Sequence, residues 1–229
     1  MKYLIWDFDG TLGYRVEGWT GAVLAVIRQK APEHQVTADE VRPYLQAGYP
    51  WHTPYQPHLE ITSPDQWWNA LALIFEQAFK AIGIDGARAR VMATQVRHIY
   101  TDSAYWRWFD DTVPALAKLS SQGWTHIVLS NHVPELQTIV GYLQLKAYIA
   151  RIFNSAETGY EKPHPQASWN VLEAIGEAQR VWMIGDSMNA DIAGAAAVGI
   201  DGILVRNHHQ DAKYCCHDLL QVSAIINRK

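Results

Sequence analysis

The chain has 229 residues, of which 48% are hydrophobic and 18% are charged, a composition typical of globular proteins that bury a core. The formal net charge of -4 argues against the basic surface that binds nucleic acids or anionic membranes. No apolar run approaches the roughly 18 residues of a membrane span, and Asp7 interrupts the first apolar run too early for a signal peptide. The adjacent Cys215 and Cys216 can rarely meet disulfide geometry, so we expect free thiols and a cytoplasmic location.

The chain begins with a predicted strand that ends in two acids. Residues 3–6 form a continuous apolar run, typical of a strand buried on both faces, and Asp7 and Asp9 follow it, with Gly10 and Thr11 next. Open α/β sheets bind their ligands at the carboxyl ends of strands. Two carboxylates held so close are costly unless a cation or a proton lies between them. We therefore predict that Asp7 is a nucleophile and that a divalent metal lies beside it.

The segment after this strand shows helical patterns and no pattern that favours a strand. Capping boxes at residues 37–40 and 63–66 indicate helix starts, and the proline-rich stretch 48–62 between them indicates a loop. The predicted helices cover residues 19–30, 38 to about 48, 64–82 and 87–100. Residues 13–107 are therefore predicted to form an all-helical cap.

Strands and helices alternate in the rest of the chain. The predicted strands are 125–130, 180–184 and 202–205, and the predicted helices are 112–123, 134–145, 165–175, 188–198 and 219–227. This alternation implies right-handed crossovers and a parallel sheet. The first strand precedes the helical segment and its partners follow it. We predict a doubly wound, Rossmann-like α/β core over residues 1–12 and 108–229, with the cap inserted after the first strand.

Polar residues stand at the ends of the predicted strands. Ser130 and Asn131 end the second strand, Asp186 follows the third, and Lys162 lies in a loop expected at the same edge. Because parallel strands end at one edge of a sheet, these residues should converge on Asp7. Carboxylates favour a hard cation such as Mg²⁺, and an aspartate that accepts a phosphoryl group is a known nucleophile.

Four segments in chain order contain these residues. They are Asp7-Phe-Asp-Gly-Thr-Leu12, Val128-Leu-Ser-Asn131, Gly159-Tyr-Glu-Lys-Pro163 and Ile184-Gly-Asp-Ser-Met-Asn-Ala-Asp191. Together they resemble the four motifs of the haloacid dehalogenase (HAD) superfamily, and the helical insert is similar to the cap of its subfamily I. The resemblance spans almost the whole chain. It implies a HAD core, a Mg²⁺ cofactor and hydrolysis of a small-molecule phosphate monoester.

The resemblance also implies roles for the acids. Asp7 would attack phosphorus and form an aspartyl-phosphate. Asp9 would protonate the departing alkoxide and then take a proton from the hydrolytic water. The carboxylates of Asp7 and Asp186 and the backbone carbonyl of Asp9 would bind Mg²⁺. Asp191 would orient Lys162 or a water molecule on the metal.

The remaining motif residues would contact the phosphate. Ser130 and the backbone amide of Asn131 would hold phosphoryl oxygens, and the amides of Gly10 and Thr11 would add donors. Lys162 would neutralise charge on the phosphoryl group and on the nucleophile. By this resemblance the reaction depends on positioning and electrostatic stabilisation, as phosphoryl transfer does in general.

The choice of reaction depends on Asp9, since dehalogenases of this superfamily place no aspartate there. A sugar phosphomutase, which also uses this acid, remains an alternative. So does a non-enzymatic phospho-aspartate signalling protein, although Asp9 and the insert argue against it. The superfamily pattern often continues with a second acid and a serine, where this chain has Gly13-Tyr-Arg15. The expected partner is a small phosphorylated metabolite, with its identity open, and the oligomeric state is either a monomer or a homodimer.

Several residues have a structural and a functional interpretation. The pattern favours core packing for the paired tryptophans, with an aromatic wall around the leaving group as the alternative. Arg15, the loop 48–62 and these tryptophans are candidates for contact with the leaving group. We expect a packing role for His132, a solvated His52 and helix capping by the tandem Asp110-Asp111.

Overall fold

A six-stranded parallel sheet forms the core of the chain, in a computed structural model that describes residues 1–227. The last two residues of the predicted core range, 228 and 229, lie outside the described residues. The strands of the described chain are β1 (Lys2–Trp6), β2 (Gly13–Arg15), β3 (Trp106–Trp108), β4 (Trp124–Ser130), β5 (Ile149–Asn154), β6 (Arg180–Gly185), β7 (Asp201–Val205) and β8 (Cys215–Cys216). The large sheet has the order β5-β4-β1-β6-β7-β8, which confirms the doubly wound parallel core.

Helices form the cap and cover the sheet. They are α1 (Gly18–Lys30), α2 (Ala38–Val41), α3 (Pro64–Ala81), α4 (Gly86–Thr101), α5 (Thr112–Ser121), α6 (Leu136–Tyr142), α7 (Ser155–Thr158), α8 (Pro165–Ile175), α9 (Gly194–Ala196) and α10 (Val222–Ile226). Within residues 1–227, no helix combines the length and the apolar character needed to cross a membrane. Helices α1 to α4 lie between β2 and β3, so the insert follows the first strand as predicted.

The sheet is covered on both faces because side chains alternate along its central strand. Leu4 and Trp6 of β1 belong to a large buried cluster that also includes the cap, whereas Tyr3 and Ile5 belong to a second cluster that includes Val171 of α8. Side chains of a strand point alternately to opposite faces, so one short apolar strand serves both cores. This explains why residues 3–6 form a continuous apolar run.

The register of the sheet brings the strand ends together. Trp6 lies opposite Val128 of β4 and Ile184 of β6 in parallel pairing. The amide of Asp7 still donates to the carbonyl of Ile184, at 2.9 Å, so the nucleophile candidate lies at the last rung of the ladder. The residues that end β4 and β6 therefore lie beside it.

A two-stranded antiparallel ribbon joins core and cap, where we had predicted no strand. Gly13 of β2 pairs with Trp108 of β3, and Arg15 pairs with Trp106. The segment that enters the cap and the segment that leaves it lie side by side. Three residues of each can therefore pair, although neither segment shows a strand pattern alone. The predicted boundaries at 12 and 108 stay a prediction; β2 begins directly after the first of them, and β3 lies across the second.

Predictions that depend on short sequence signals are confirmed for two helices. Ser63 caps α3 through the amide of Gln66, and α8 covers the predicted residues 165–175. The sequence analysis missed β5 and β8, both at the edges of the sheet, and a π-helical turn replaces the first part of the predicted helix 188–198. Capping by Asp111 is wrong, because its carboxylate instead accepts bonds from Arg206 and from the Leu219 amide.

Candidate active site

Asp7 is fixed through one of its two carboxylate oxygens. Oδ1 accepts hydrogen bonds from the Ser130 hydroxyl, at 2.8 Å, and from the Lys162 ammonium, at 2.8 Å. Among residues 1–227, no group donates a hydrogen bond to Oδ2. The carboxylate is therefore oriented with one oxygen held and the other available for attack.

Lys162 is itself held from both ends. Its ammonium also donates to Oδ1 of Asp191, at 2.5 Å, and its backbone amide and carbonyl make reciprocal bonds of 2.7 and 2.9 Å with the side chain of Asn131. Burial alone would lower the pKa of Lys162, but the carboxylates of Asp191 and Asp7 more than offset this and raise it above its ordinary value. The ammonium is therefore charged at neutral pH although it is only 4% exposed.

The acids of the site carry more negative charge than this single lysine neutralises. Asp9 faces the cavity, yet the protein around it raises its pKa to about 7, mainly by burial and then through the charges of Asp7 and Asp186. Burial and the charge of Asp7 likewise raise the pKa of Asp186 to about 7. Burial raises the pKa of Asp191, against the attraction of Lys162. The cluster is therefore short of positive charge.

Three of these carboxylates fit a metal ion. Asp7, Asp186 and Asp191 each offer an oxygen, and the three oxygens lie within 4.8 Å of one another. A set of oxygen donors with excess negative charge suits a hard divalent cation. Gly10 allows this arrangement, because a Cβ there would lie 2.4 Å from Oδ2 of Asp186.

The cluster differs in one member from the predicted ligands, which were Asp7, Asp186 and the carbonyl of Asp9. Asp191 lies near enough to be a ligand, but its Oδ1 is bonded to Lys162 and its Oδ2 accepts the Ser187 amide at 3.0 Å. With both oxygens engaged, Asp191 is better suited to hold the lysine, which is one of the two roles predicted for it.

The predicted phosphate donors are only partly available. The amides of Gly10 and Thr11 donate to the carbonyls of Gly13 and Phe8 within their own turn, so this geometry does not support their contact with a phosphate. The Asn131 side chain braces Lys162, a role that the sequence analysis missed. The reciprocal pair joins residues 31 positions apart, so no local pattern could have indicated it.

The site opens into a cavity of about 610 Å³ between core and cap. Its core side carries the predicted residues Asp7, Asp9, Ser130, Asn131, Lys162 and Asp191. Its cap side contains four aromatic rings, those of Trp19 of α1, Tyr49 and Trp51 of the loop 48–62, and Tyr100 of α4. The other cap residues that line it are Leu45, Gln46, His52 and Pro54. The loop was a candidate for this position, whereas Trp19 and Tyr100 carried no signal that set them apart from core residues.

The paired tryptophans, by contrast, serve mainly to pack the protein. Trp67 and Trp106 are 1% exposed and Trp68 is 6% exposed, and all three belong to the large buried cluster. None of them lines the cavity. The packing interpretation is therefore confirmed for these three, and the aromatic wall consists of different residues.

Arg15 and the histidines also differ in part from expectation. Arg15 is buried, and its guanidinium donates to the carbonyls of Tyr100, Val16, Gly18 and Ile99, so it braces the cap and does not line the cavity. His132 packs edge-on against Phe8 as expected, and it also lines the cavity. Burial lowers the pKa of His132 to about 4, so the ring is neutral. His52 is exposed as expected but lies at the cavity.

The family follows from comparison with known sequences and structures. The sequence profile of the haloacid dehalogenase-like hydrolases matches residues 1–199. The chain belongs to this family, and it is a hydrolase.

Known proteins match most of the chain at low identity. The chain is 27% identical to a phosphoglycolate phosphatase of Pectobacterium atrosepticum over 87% of this chain and 77% of that protein. It is 25% identical to haloacid dehalogenase-like hydrolase domain-containing protein 3 of Bos taurus, over 90% and 82% of the two chains. The magnesium-bound HAD-hydrolase YfnB of Bacillus subtilis has the same fold, with a TM-score of 0.75, 20% identity and 99% of each chain covered.

Proposed function

We propose that this protein is a Mg²⁺-dependent phosphatase that hydrolyses a small-molecule phosphate monoester through an aspartyl-phosphate on Asp7. The observation that carries the proposal is the asymmetric fixing of Asp7, with Oδ1 held by Ser130 and Lys162 and with no described residue donating to Oδ2. The phosphatase names of relatives support the same reaction class. Asp9, two residues further on, supplies the acid that an alkoxide leaving group needs.

The reaction would proceed in two displacements. Oδ2 of Asp7 attacks phosphorus, the bond from phosphorus to the ester oxygen breaks, and Asp9 transfers its proton to the departing oxygen. Asp9 then takes a proton from a water molecule, whose oxygen attacks the phosphoryl group and releases phosphate. Asp7 returns to its carboxylate form and Asp9 to its acid form, so the protons balance over the cycle.

The other residues would stabilise charge during both displacements. The Lys162 ammonium lies against Asp7 and can share its charge with the equatorial oxygens of the transferring group. Mg²⁺ would be held by Asp7, Asp186 and the carbonyl of Asp9, and when bound it neutralises charge shared by the nucleophile and the phosphate. We propose a cytoplasmic location and a phosphorylated metabolite as partner. The free thiols of Cys215 and Cys216 fit a reducing compartment.

Turnover of a generic aryl phosphate tests the proposal. Wild-type protein should hydrolyse it over many cycles, and a chelator should abolish activity that added Mg²⁺ restores. Asp7→Asn should lower kcat by about 10⁴-fold or more, as removal of a nucleophile does. Full activity in Asp7→Asn would contradict the proposal. A stable phosphoenzyme without turnover would favour the signalling protein instead.

A further inference from the structure

The cap side of the cavity is a preformed wall of stacked rings. Trp19 lies parallel to Tyr100, with ring centroids 3.7 Å apart and an angle of 14° between the planes. Tyr49 and Trp51 form a second stack, at 4.8 Å and 11°, and Trp19 contacts Tyr49 at 5.2 Å. Because each ring is held by another ring, the wall can receive a flat group without first being ordered.

The same cavity lacks a cation that a second anionic group could use. Of the described residues that line it, Lys162 is the sole lysine or arginine, and its ammonium is already bonded to Asp7 and Asp191. His132 is neutral, and partial desolvation lowers the pKa of His52 although its side chain is exposed. An anion on the leaving group would therefore lose water without gaining a cation among the described residues that line the cavity.

The nearby arginine cannot supply the missing charge. Arg15 lies behind Tyr100, with its guanidinium carbon 5.1 Å from the ring centroid. Its donors are used by four backbone carbonyls, and it is 5% exposed. If the Arg15 side chain turned into the cavity, those carbonyls would lose their donors inside the protein, which is costly.

One polar group on the wall has no partner. The hydroxyl of Tyr49 is buried and makes no hydrogen bond to any described residue, although Tyr49 lines the cavity and is 3% exposed. Buried tyrosine hydroxyls normally find a partner. The hydroxyl has almost no accessible surface, so a bound ring could pair with it only after the wall shifts.

We propose that the substrate is a phosphate monoester whose leaving group is a flat, uncharged ring system, seated against the half-buried rings of Trp19 and Trp51. The nearly buried rings of Tyr100 and Tyr49 stack on these two tryptophans and hold them in place. This proposal rests on the proposed phosphatase function. The ring stacks on the cap wall while the phosphate meets Asp7. Esters that carry a second anionic group, such as phosphoglycolate, are poor substrates because nothing at the wall neutralises the added charge.

A pair of matched esters tests the role of charge. The amide in para-carbamoylphenyl phosphate and the carboxylate in para-carboxyphenyl phosphate have nearly the same shape, and one of them is charged. We expect kcat/KM to be at least about tenfold lower for the carboxylate, mainly through KM, since a charged group that is desolvated without a cation costs binding free energy. Equal kcat/KM values would overturn the proposal.

Glycerol phosphate and adenosine monophosphate extend the test to shape. The first has a neutral leaving group without a ring, and we expect its kcat/KM to fall well below that of the neutral aryl ester. The second presents a neutral heteroaromatic base. Whichever of adenosine monophosphate and para-carbamoylphenyl phosphate has the higher kcat/KM identifies the kind of ring that the wall prefers. Preference for glycerol phosphate over both would overturn the proposal. If none of the esters is hydrolysed, the proposed function itself fails.

A positive charge added to the wall should weaken the selectivity. Gln46 lines the cavity from the cap and is exposed, so Gln46→Lys places a cation there. We expect this variant to reduce the preference for the amide over the carboxylate ester severalfold. The control is Leu73→Lys, which adds the same charge at an exposed position of α3 outside the cavity and should leave the preference as it is. An equal change in both variants would contradict selection at the wall.

Discussion

The two walls of the cavity are held by different forces. The core wall consists of charged and polar groups that bond to one another, as Asp7 does with Ser130 and Lys162. The cap wall consists of rings that stack on one another, as Trp19 does on Tyr100. Hydrogen bonds fix the direction of each reacting atom, whereas stacking tolerates sliding of a flat partner. We therefore expect the core wall to carry out the reaction and the cap wall to select the leaving group.

After loss of the nucleophile, the largest expected effect comes from the acid on the core wall. Asp9→Asn removes the proton donor, so we expect kcat to fall about 10²- to 10⁴-fold. The loss should be greater for alkyl than for aryl phosphates, because a phenolate departs more easily without a proton. Steady-state kinetics over esters of graded leaving-group pKa measure this. A uniform loss across the series would contradict the acid role and leave Asp9 with a purely structural one.

The next effect concerns the stability of the core wall. Lys162→Gln leaves two carboxylates, those of Asp7 and Asp191, without their shared cation. Removal of one partner from a buried ion pair costs about 3–5 kcal/mol, so the free energy of unfolding should fall by this order. Chemical denaturation in a chelator measures it. The control Lys118→Gln changes an exposed lysine and should stay within about 0.5 kcal/mol of the wild type.

A smaller effect comes from Glu161, which precedes Lys162 and is 1% exposed. Burial raises its pKa to about 7, against smaller opposing effects of Ser155 and Lys162, and its Oε2 has no partner in the described chain. The folded protein therefore binds a proton that the unfolded chain releases above pH 4.5. Stability should fall as the pH rises from about 4.5 to about 7, because the unfolded state binds fewer protons in that window.

Glu161→Gln should remove this pH dependence. We expect little difference from wild type at pH 4 and a relative gain of about 1–3 kcal/mol at pH 8, from the size of the shift. Denaturation at both pH values checks the prediction. A gain that is the same at both pH values would show that the carboxyl is not protonated in the folded protein.

The sequence was informative about the core wall and far less so about the cap wall. Asp7 and Asp186 could be placed together because each follows a strand and parallel strands end at one edge. Trp19, Tyr49 and Tyr100 come from separate elements, and only tertiary packing brings their rings together. Each of these residues alone has the character of an ordinary core residue.

The strands that the sequence analysis missed also depend on tertiary structure. The ribbon of β2 and β3, and the edge strands β5 and β8, depend on a distant partner for their hydrogen bonds. Three residues such as Gly13–Arg15 carry no periodicity of their own. The roles of the site residues stay predictions, although the structure brings most of them to one cavity.

The smallest expected effect tests the cap wall. Trp51 is half-buried and contributes one face of a stacked pair, so Trp51→Leu should weaken binding of a flat leaving group while the cap remains folded. Loss of a stacking contact of about 1 kcal/mol corresponds to a rise in KM of about fivefold for an aryl phosphate. Because the core wall is untouched, kcat should change less than KM. Trp169→Leu, on the exposed side of α8, is the matched control and should leave KM as it is. A fall in kcat with an unchanged KM would place Trp51 with the chemistry and remove the distinction between the two walls.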